Sequence, residues 1–315
     1  MPEQPTIEVL VDRIEWPAED IVVARLVHPD GKPLPRWTAG AHIDVVLPSG
    51  LVRQYSLCGD PADPNEYRIA VLRVAEGRGG SRELHDSLQE GQLLAIRGPR
   101  NNFELQDADE YLFVAGGIGI TPILPMLLAA QSRGARSTVF YGGRTRRSMA
   151  YVEELHDVAD AVVIAPKDVF GRLDLADIVS RAKDVGALYC CGPEPLLSEL
   201  ESRVRGADCP IDLRLERFQA NDVDAPNTTF QVMIQSTGAL FHIPPDRSIL
   251  EVLREKDVDV LYSCEEGTCG SCETGVIEGE PEHRDAVLMS EERDQGKKMM
   301  ICVSRARCDR LVLDL

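Results

Sequence analysis

The chain has 315 residues, 27% of them charged and 43% hydrophobic, with a formal net charge of −18. Such a length holds two or three domains, and the composition is that of an ordinary globular protein. The negative charge argues against nucleic acid and anionic membranes as partners. No apolar run approaches a bilayer span, and residues 1–5 lack the basic and apolar regions of a signal peptide, so we expect a cytoplasmic protein.

The first hundred residues are patterned as short strands. Alternating or β-branched segments are separated by turns rich in glycine and proline, as at 30–33 and 48–50. The predicted strands cover residues 7–11, 21–27, 43–47, 52–57, 67–74 and 93–96. Six strands with little helical pattern predict an antiparallel barrel, which we place at residues 1–103.

Two barrel segments are candidate binding sites. Residues 53–57, Arg-Gln-Tyr-Ser-Leu, offer a cation, an aromatic face and a hydroxyl on one strand. Residues 77–81, Gly-Arg-Gly-Gly-Ser, precede a predicted helix over 82–88 and form a candidate phosphate cradle. Each segment taken alone is more simply explained as ordinary strand and turn.

Residues 104–218 change to alternating strands and helices. Strands are predicted at 111–115, 137–141, 161–165, 187–191 and 211–215, with a helix over 123–133. This alternation predicts a parallel, doubly wound α/β sheet.

Two strand ends in this second region are candidate dinucleotide sites. The turn Gly-Gly-Ile-Gly-Ile-Thr-Pro at 116–122 would bring backbone N–H groups and a helix N-terminus close to a diphosphate. Cys-Cys-Gly-Pro at 190–193 ends another strand, and ligands bind at the carboxyl ends of such strands, so Cys191 could border a nicotinamide ring. Taken alone, the first could be a tight turn without a ligand, and Cys191 a packing residue.

A polar, turn-forming segment at 219–229 predicts a linker. Beyond it, strands at 230–235 and 239–243 precede a helix over 249–253 that is capped by Asp246 or Ser248.

Four cysteines follow at the spacing C-x4-C-x2-C-x29-C, namely Cys264, Cys269, Cys272 and Cys302. This is the plant-type ferredoxin spacing, whereas structural zinc usually shows two C-x2-C pairs. We therefore predict a 2Fe–2S cluster on residues 230–315 and expect the other five cysteines to be reduced thiols.

The segment around the cysteines is strongly acidic. Between residues 255 and 292 there are twelve acidic side chains and two basic ones. They could be solvated surface that keeps the protein soluble, or a docking face for a basic partner.

Taken together in chain order, these motifs closely resemble the phthalate dioxygenase reductase family, within the ferredoxin–NADP reductase superfamily. The resemblance spans essentially the whole chain and extends to Arg-Ser-Ile-Leu-Glu-Val-Leu-Arg at 247–254. It implies an FMN barrel, an NAD domain and a C-terminal β-grasp plant-type ferredoxin domain in one multidomain polypeptide. The implied function is electron transfer from NADH through FMN and the 2Fe–2S cluster to a Rieske-type oxygenase that hydroxylates rings or demethylates O- or N-methyl groups.

The family pattern also implies roles for individual residues. Flavin contacts fall on Arg53, Gln54, Tyr55, Ser56, Ala70, Val71 and Leu72, the FMN phosphate on Gly79, Gly80 and Ser81, and NADH on Gly117, Thr121 and Cys191. Phe218 matches an aromatic near the flavin, and Ser56 and Cys191 are the implied catalytic positions. One departure is the run containing Arg144, Arg146 and Arg147, which could attract the extra phosphate of NADPH.

Other functions stay open. A reductase serving a haem monooxygenase would use the same cofactors. An electron-transfer subunit of a permanent complex, as in two-subunit dihydroorotate dehydrogenases, would place its last cysteine soon after the C-x2-C pair, unlike the 29-residue gap here. A redox sensor without turnover would not need a motif at every cofactor site. We expect the chain to be monomeric on its own.

Overall fold

The computed structural model describes residues 6–75, 79–219 and 226–315. The chain divides into two compact units, one from Pro2 to Glu216 and the other from Arg217 to Leu315. The predicted linker falls largely on residues 220–225, outside the described residues. Within the described ranges, no helix is both long and apolar enough to cross a membrane.

The N-terminal part of the first unit is an antiparallel barrel, as predicted. Its elements are β1 (Ile7–Ala18), β2 (Ile21–Val27), β3 (Ala41–Val46), β4 (Val52–Ser56), β5 (Glu66–Leu72), α1 (Gly80–Ser87) and β6 (Leu93–Asn101). The strand order is β4-β3-β6-β1-β2-β5, and an antiparallel bridge between Leu57 and Ile69 joins the two edges. Strand β1 is longer than predicted because the pairing with β2 slips after Val11 and again after Glu15, and such bulges interrupt the alternation that marks a strand.

The rest of the first unit is the predicted parallel sheet. Its elements are β7 (Glu110–Gly116), α2 (Ile120–Ser132), β8 (Arg136–Gly143), α3 (Val152–Val158), β9 (Ala161–Pro166), α4 (Lys167–Phe170), α5 (Leu175–Ala182), β10 (Ala187–Cys191), α6 (Glu194–Arg205) and β11 (Leu213–Glu216). The order β11-β10-β7-β8-β9 reverses direction between β7 and β10. A doubly wound sheet binds its ligand in the crevice at such a reversal.

The second unit is built on a mixed five-stranded sheet of order β13-β12-β18-β14-β16, in which β12 and β18 run parallel. Its elements are β12 (Phe230–Ile234), β13 (Leu240–Ile243), α7 (Ile249–Glu255), β14 (Glu273–Glu278), β15 (Pro281–Glu282), α8 (Ser290–Gln295), β16 (Lys298–Met300), β17 (Arg305–Ala306) and β18 (Arg310–Asp314). Helix α7 is capped by Ser248, whose Oγ accepts the Glu251 N–H at 3.1 Å, so Ser248 rather than Asp246 is the cap. Its buried side chains pack on the sheet, which is the β-grasp arrangement.

Candidate redox-cofactor sites

The four clustered cysteines are buried in the second unit. Cys264, Cys269 and Cys272 lie between α7 and β14, and Cys302 follows β16. The thiols form two contacting pairs, Cys264 with Cys269 and Cys272 with Cys302. The plant-type spacing of these cysteines and their burial in two contacting pairs are what a two-iron cluster requires.

Backbone and hydroxyl donors surround these sulfurs. The Glu266 N–H donates to Cys264 Sγ at 3.3 Å, and the Ser271 N–H donates to Cys269 Sγ at 3.3 Å. The Thr268 hydroxyl also donates to Cys264 Sγ at 3.6 Å. The neighbouring Cys269 thiol and these donors lower the pKa of Cys264 to about 5, and the Cys302 thiol lowers the pKa of Cys272, whereas the pKa of Cys269 and of Cys302 is raised. In each pair one sulfur therefore favours the thiolate, the form that binds iron, and the other is its thiol donor.

A glycine at the centre of the cysteine loop is pressed against two other segments. A Cβ added to Gly267 would lie 2.5 Å from Val303 Cγ2 and 3.2 Å from Asp285 Cα. The Gly267 carbonyl accepts the Ala286 N–H at 2.7 Å. Asp285 is fully buried, and its carboxylate accepts the Leu288 N–H at 2.8 Å. In the sequence Asp285 is one residue of the acidic run, and no local pattern marks it as a buried residue whose segment packs on the cysteine loop.

In the barrel, an arginine and a helix N-terminus converge. A Cβ on Gly80 would lie 2.5 Å from Arg53 Nε, so the Arg53 side chain crosses directly over the start of α1. Gly79 has a φ of 87°, and Ser81 Oγ accepts the Val74 N–H at 3.1 Å. A guanidinium beside helix N–H groups can hold a phosphate. Gly77 and Arg78 of the predicted cradle lie outside the described residues.

Polar residues on neighbouring strands support the predicted flavin strand. The fully buried Asp44 carboxylate on β3 accepts Gln54 Nε2 at 3.1 Å and Arg100 Nη2 at 2.6 Å. Ser56 is buried and lies opposite His42, whose pKa is lowered to about 4 by burial and by Arg100, so this imidazole is neutral. His42, Asp44 and Arg100 were missed from sequence because they come from two other strands and form no local motif.

The other predicted flavin positions lie on β4 and on an edge of the sheet. Tyr55 is half-buried and packs against the barrel core. Ala70 and Val71 are buried and Leu72 half-buried on β5, the last strand in the sheet order. An edge strand can offer backbone groups to a ligand. Phe218 follows β11, is 39% exposed and belongs to the second unit.

The glycine turn after β7 and the turn after β10 are in backbone contact. A Cβ on Gly119 would lie 2.2 Å from the Cys191 carbonyl oxygen, so no larger residue fits. Gly117, by contrast, has a φ of +57° and nothing within 4 Å of the position its Cβ would take. The turn is thus closed on the Cys191 side and open at Gly117, where a diphosphate could approach. Thr121 is 2% exposed, and its hydroxyl donates to the Ile118 carbonyl at 2.9 Å, which closes the turn from within.

A carboxyl group lies beside the buried thiol of Cys191. The Cys191 thiol donates to Glu216 Oε2 at 3.8 Å, and the two residues are partners across β10 and β11. Burial raises the pKa of Glu216 to about 8, and burial together with this carboxyl raises the pKa of Cys191. Both groups are therefore protonated at neutral pH. Glu216 was also missed from sequence because nothing local separates it from the other acidic residues.

Two family models match separate stretches of the chain. A model of the 2Fe-2S iron-sulfur cluster binding domain matches residues 232–307, which include all four clustered cysteines. A model of the oxidoreductase NAD-binding domain matches residues 113–162, which include the glycine turn after β7.

Similarity also extends over the full chain. The phthalate 4,5-dioxygenase oxygenase reductase subunit of Pseudomonas putida is 43% identical over 95% of this chain and 93% of its own length. The solved structure of phthalate dioxygenase reductase is 39% identical, with a TM-score of 0.72 over 98% of both chains. An intact type IV self-sufficient cytochrome P450 monooxygenase is 40% identical with a TM-score of 0.86, and this chain spans 41% of its length. The chain belongs to the phthalate dioxygenase reductase family.

Proposed function

We propose that this protein is an NADH-dependent reductase that passes electrons through FMN and a 2Fe–2S cluster to a partner Rieske-type oxygenase, and that it is monomeric on its own. The observation that carries the proposal is the joint presence, in one chain, of an arginine over the start of α1, an open glycine turn after β7 and paired buried thiols. Reductase subunits of dioxygenases align with that chain nearly end to end. We assign the FMN barrel to residues 1–103, the NAD domain to 104–218, the linker to 219–229 and the cluster domain to 230–315.

In this proposal the barrel residues bind and orient the flavin. Arg53 and the N–H groups at Gly80 and Ser81 hold the phosphate, because cation and helix N-terminus meet there. Ser56 offers a hydrogen bond to the ring beside the edge of β5, and Asp44 keeps Gln54 in place. Bound FMN supplies the exchange between a two-electron hydride donor and a one-electron cluster.

The α/β part positions the nicotinamide. The open turn at Gly117 accepts the diphosphate, and the neutral pair Cys191 and Glu216 borders the ring at the strand-order reversal. With both groups protonated at neutral pH, the pocket excludes a fixed negative charge beside the ring. In the second unit, the thiol pairs Cys264–Cys269 and Cys272–Cys302 would together hold the cluster, which would supply one-electron transfer.

The proposal is tested by analysing the purified protein directly. Mass measurement of the acid-released flavin should give FMN, and iron analysis should give about two irons per chain. NADH should reduce cytochrome c through the protein and support turnover of a Rieske oxygenase. Recovery of FAD, or of an iron-free protein that still carries electrons to cytochrome c, would contradict the assignment.

A haem monooxygenase is a second candidate acceptor. The observation that favours it is the match to the self-sufficient cytochrome P450. That match covers 98% of the residues of the present chain. Measuring NADH-driven reduction of a Rieske oxygenase and of a cytochrome P450 under the same conditions separates the two. Faster reduction of the haem protein would make it the physiological class of acceptor.

A further inference from the structure

The strand order of the parallel sheet indicates where the adenosine half of a bound dinucleotide lies. This step rests on the proposed function, in which the nicotinamide borders Cys191 on β10 and the diphosphate lies over the turn after β7. Since β8 and β9 continue the sheet on the other side of β7, the adenosine extends over their carboxyl ends. In doubly wound sheets an acidic residue there accepts the ribose 2′-hydroxyl of NAD, and an arginine accommodates the 2′-phosphate of NADP.

The segment after β8 carries arginines, as NADP requires, rather than an acidic residue. Residues 142–152 contain three arginines and no acidic side chain. The first acidic residue beyond them, Glu153, is bonded to Arg146 at 2.5 Å. Arg144 and Arg147 are exposed, and within the described part of the chain no ion pair engages either guanidinium. Two cations are therefore uncommitted at the carboxyl end of β8.

The backbone that carries these cations is held in place on three sides. Thr145 and Ser148 form a reciprocal capping box, in which the Ser148 N–H donates to Thr145 Oγ1 at 3.3 Å and the Thr145 N–H donates to Ser148 Oγ at 3.1 Å. The Arg147 carbonyl accepts the Glu19 N–H from the barrel at 2.9 Å, and the Arg144 carbonyl accepts the Asp168 N–H at 3.3 Å. A fixed turn lowers the entropy lost when its side chains bind a ligand.

We propose that Arg144 and Arg147 form a subsite for the 2′-phosphate of NADPH, so that this protein uses NADPH as well as NADH. A phosphate dianion gains charge-assisted, planar hydrogen bonds from guanidinium groups, whereas a ribose hydroxyl gains little from them. Arg146 does not take part, because Glu153 already engages it. Two acidic residues are bonded to this turn through their backbone, Asp168 at the Arg144 carbonyl and Glu19 at the Arg147 carbonyl. Asp168 follows the end of β9, and its carboxyl group would favour a ribose hydroxyl instead.

Binding of adenosine 2′,5′-bisphosphate and of 5′-ADP to the cofactor-loaded protein tests the subsite directly. Wild type should bind the 2′-phosphorylated probe about tenfold more tightly, as expected for charge-assisted hydrogen bonds at a screened surface. Arg144→Ala and Arg147→Ala together should abolish that difference while leaving 5′-ADP binding nearly unchanged. Arg146→Ala is the matched control in the same turn and should keep the difference. Equal binding of both probes by wild type, or an equal loss in the control, overturns the subsite.

Steady-state reduction of cytochrome c with each nucleotide separates this subsite from the proposed function. If NADPH is used and the double variant loses kcat/KM for NADPH alone, the subsite is supported. If NADH drives turnover and NADPH does not, the subsite is overturned and Asp168 is the residue to replace next, while the reductase function stands. If neither nucleotide drives turnover although both reach a flavin-loaded protein, the function fails as well.

Discussion

At the scale of single residues, environment gives ordinary side chains their role at the candidate sites. Glu216 is one of 52 acidic residues, yet it is half-buried and lies across from the fully buried Cys191 at the end of the parallel sheet. Burial penalises the charged form, which raises its pKa to about 8. Such a shift ties the stability of the folded protein to pH.

Glu216→Gln should change the pH dependence of stability. The folded pKa of about 8 exceeds the ordinary value of 4.5, so the folded protein binds the extra proton between these values. Wild-type stability should therefore fall as pH rises from about 5 through 8, and the glutamine variant should lack that decline. Thermal unfolding between pH 5 and 9 measures it. The same slope in both proteins would place the titration on another group.

Cys302→Ser should lose or severely destabilise the cluster while NADH still reduces the flavin. The reason is that Cys302 forms one of the two thiol pairs with Cys272, and a serine hydroxyl is a far poorer ligand for iron. Iron content, the visible spectrum and stopped-flow flavin reduction measure the two effects separately.

Cys308→Ser serves as the control, because Cys308 lies in the same unit and its thiol bonds, among the described residues, to backbone atoms of Glu280 and Arg310. About two irons and an unchanged spectrum in the Cys302 variant would remove Cys302 from the ligand set.

At the scale of elements, close backbone packing decides which substitutions the glycine turn after β7 tolerates. Gly119 and Gly206 have similar ordinary backbone angles, with φ of −63° and −85°. An added Cβ would lie 2.2 Å from the Cys191 carbonyl oxygen at Gly119 but no closer than 3.6 Å to any atom at Gly206. The two glycines are thus a matched pair that differs in the space around the Cβ.

Gly119→Ala should push the turn after β7 away from the turn after β10. We expect destabilisation by about 1–3 kcal/mol, as for overpacking, together with a raised KM for NADH. Gly206→Ala should be neutral or slightly stabilising, since alanine restricts the unfolded chain. Urea unfolding and NADH kinetics of both variants test the contrast, and equal behaviour would mean that the two turns can separate without cost.

Much of this element structure could be predicted from the sequence, and the exceptions have physical reasons. The strands of the barrel and of the parallel sheet, and β12 and β13 of the second unit, were predicted because hydrophobic alternation and turn residues mark them locally. Helix α2 begins at Ile120, before the predicted start, because Pro122 lies in the first turn, where its missing N–H has no intrahelical partner to lose. The supporting residues His42, Asp44 and Asp285 could not be predicted, since each acts on a segment distant in sequence.

At the scale of the whole molecule, the acidic side chains around the cysteine loop have different environments. Within the acidic run Asp285 is buried and Glu265 is paired with Arg254 at 2.9 Å. Arg254 in turn stacks over Tyr262, 4.0 Å from the ring centroid. Leu261 and Tyr262 directly precede the cysteine loop and are 57% and 38% exposed. An apolar pair framed by carboxylates is the composition of a protein-docking surface.

Electron transfer to an oxygenase should therefore slow as salt rises and when this surface is altered. Salt screens steering between an acidic face and a basic partner over a Debye length of about 8 Å at physiological ionic strength. Asp259→Lys reverses an exposed carboxylate two residues before Leu261, and Leu261→Ser removes the apolar contact, so both should reduce the second-order rate with the oxygenase. Asp184→Lys makes the same change in net charge on the other compact unit and should have little effect.

Stopped-flow reduction of the oxygenase measures the partner step, and NADH reduction of flavin and cluster within the protein serves as the internal reference. Should the variants slow that internal step instead, the surface would face the flavin rather than the partner; should salt and substitutions leave both steps unchanged, the acidic run would be solvated surface alone.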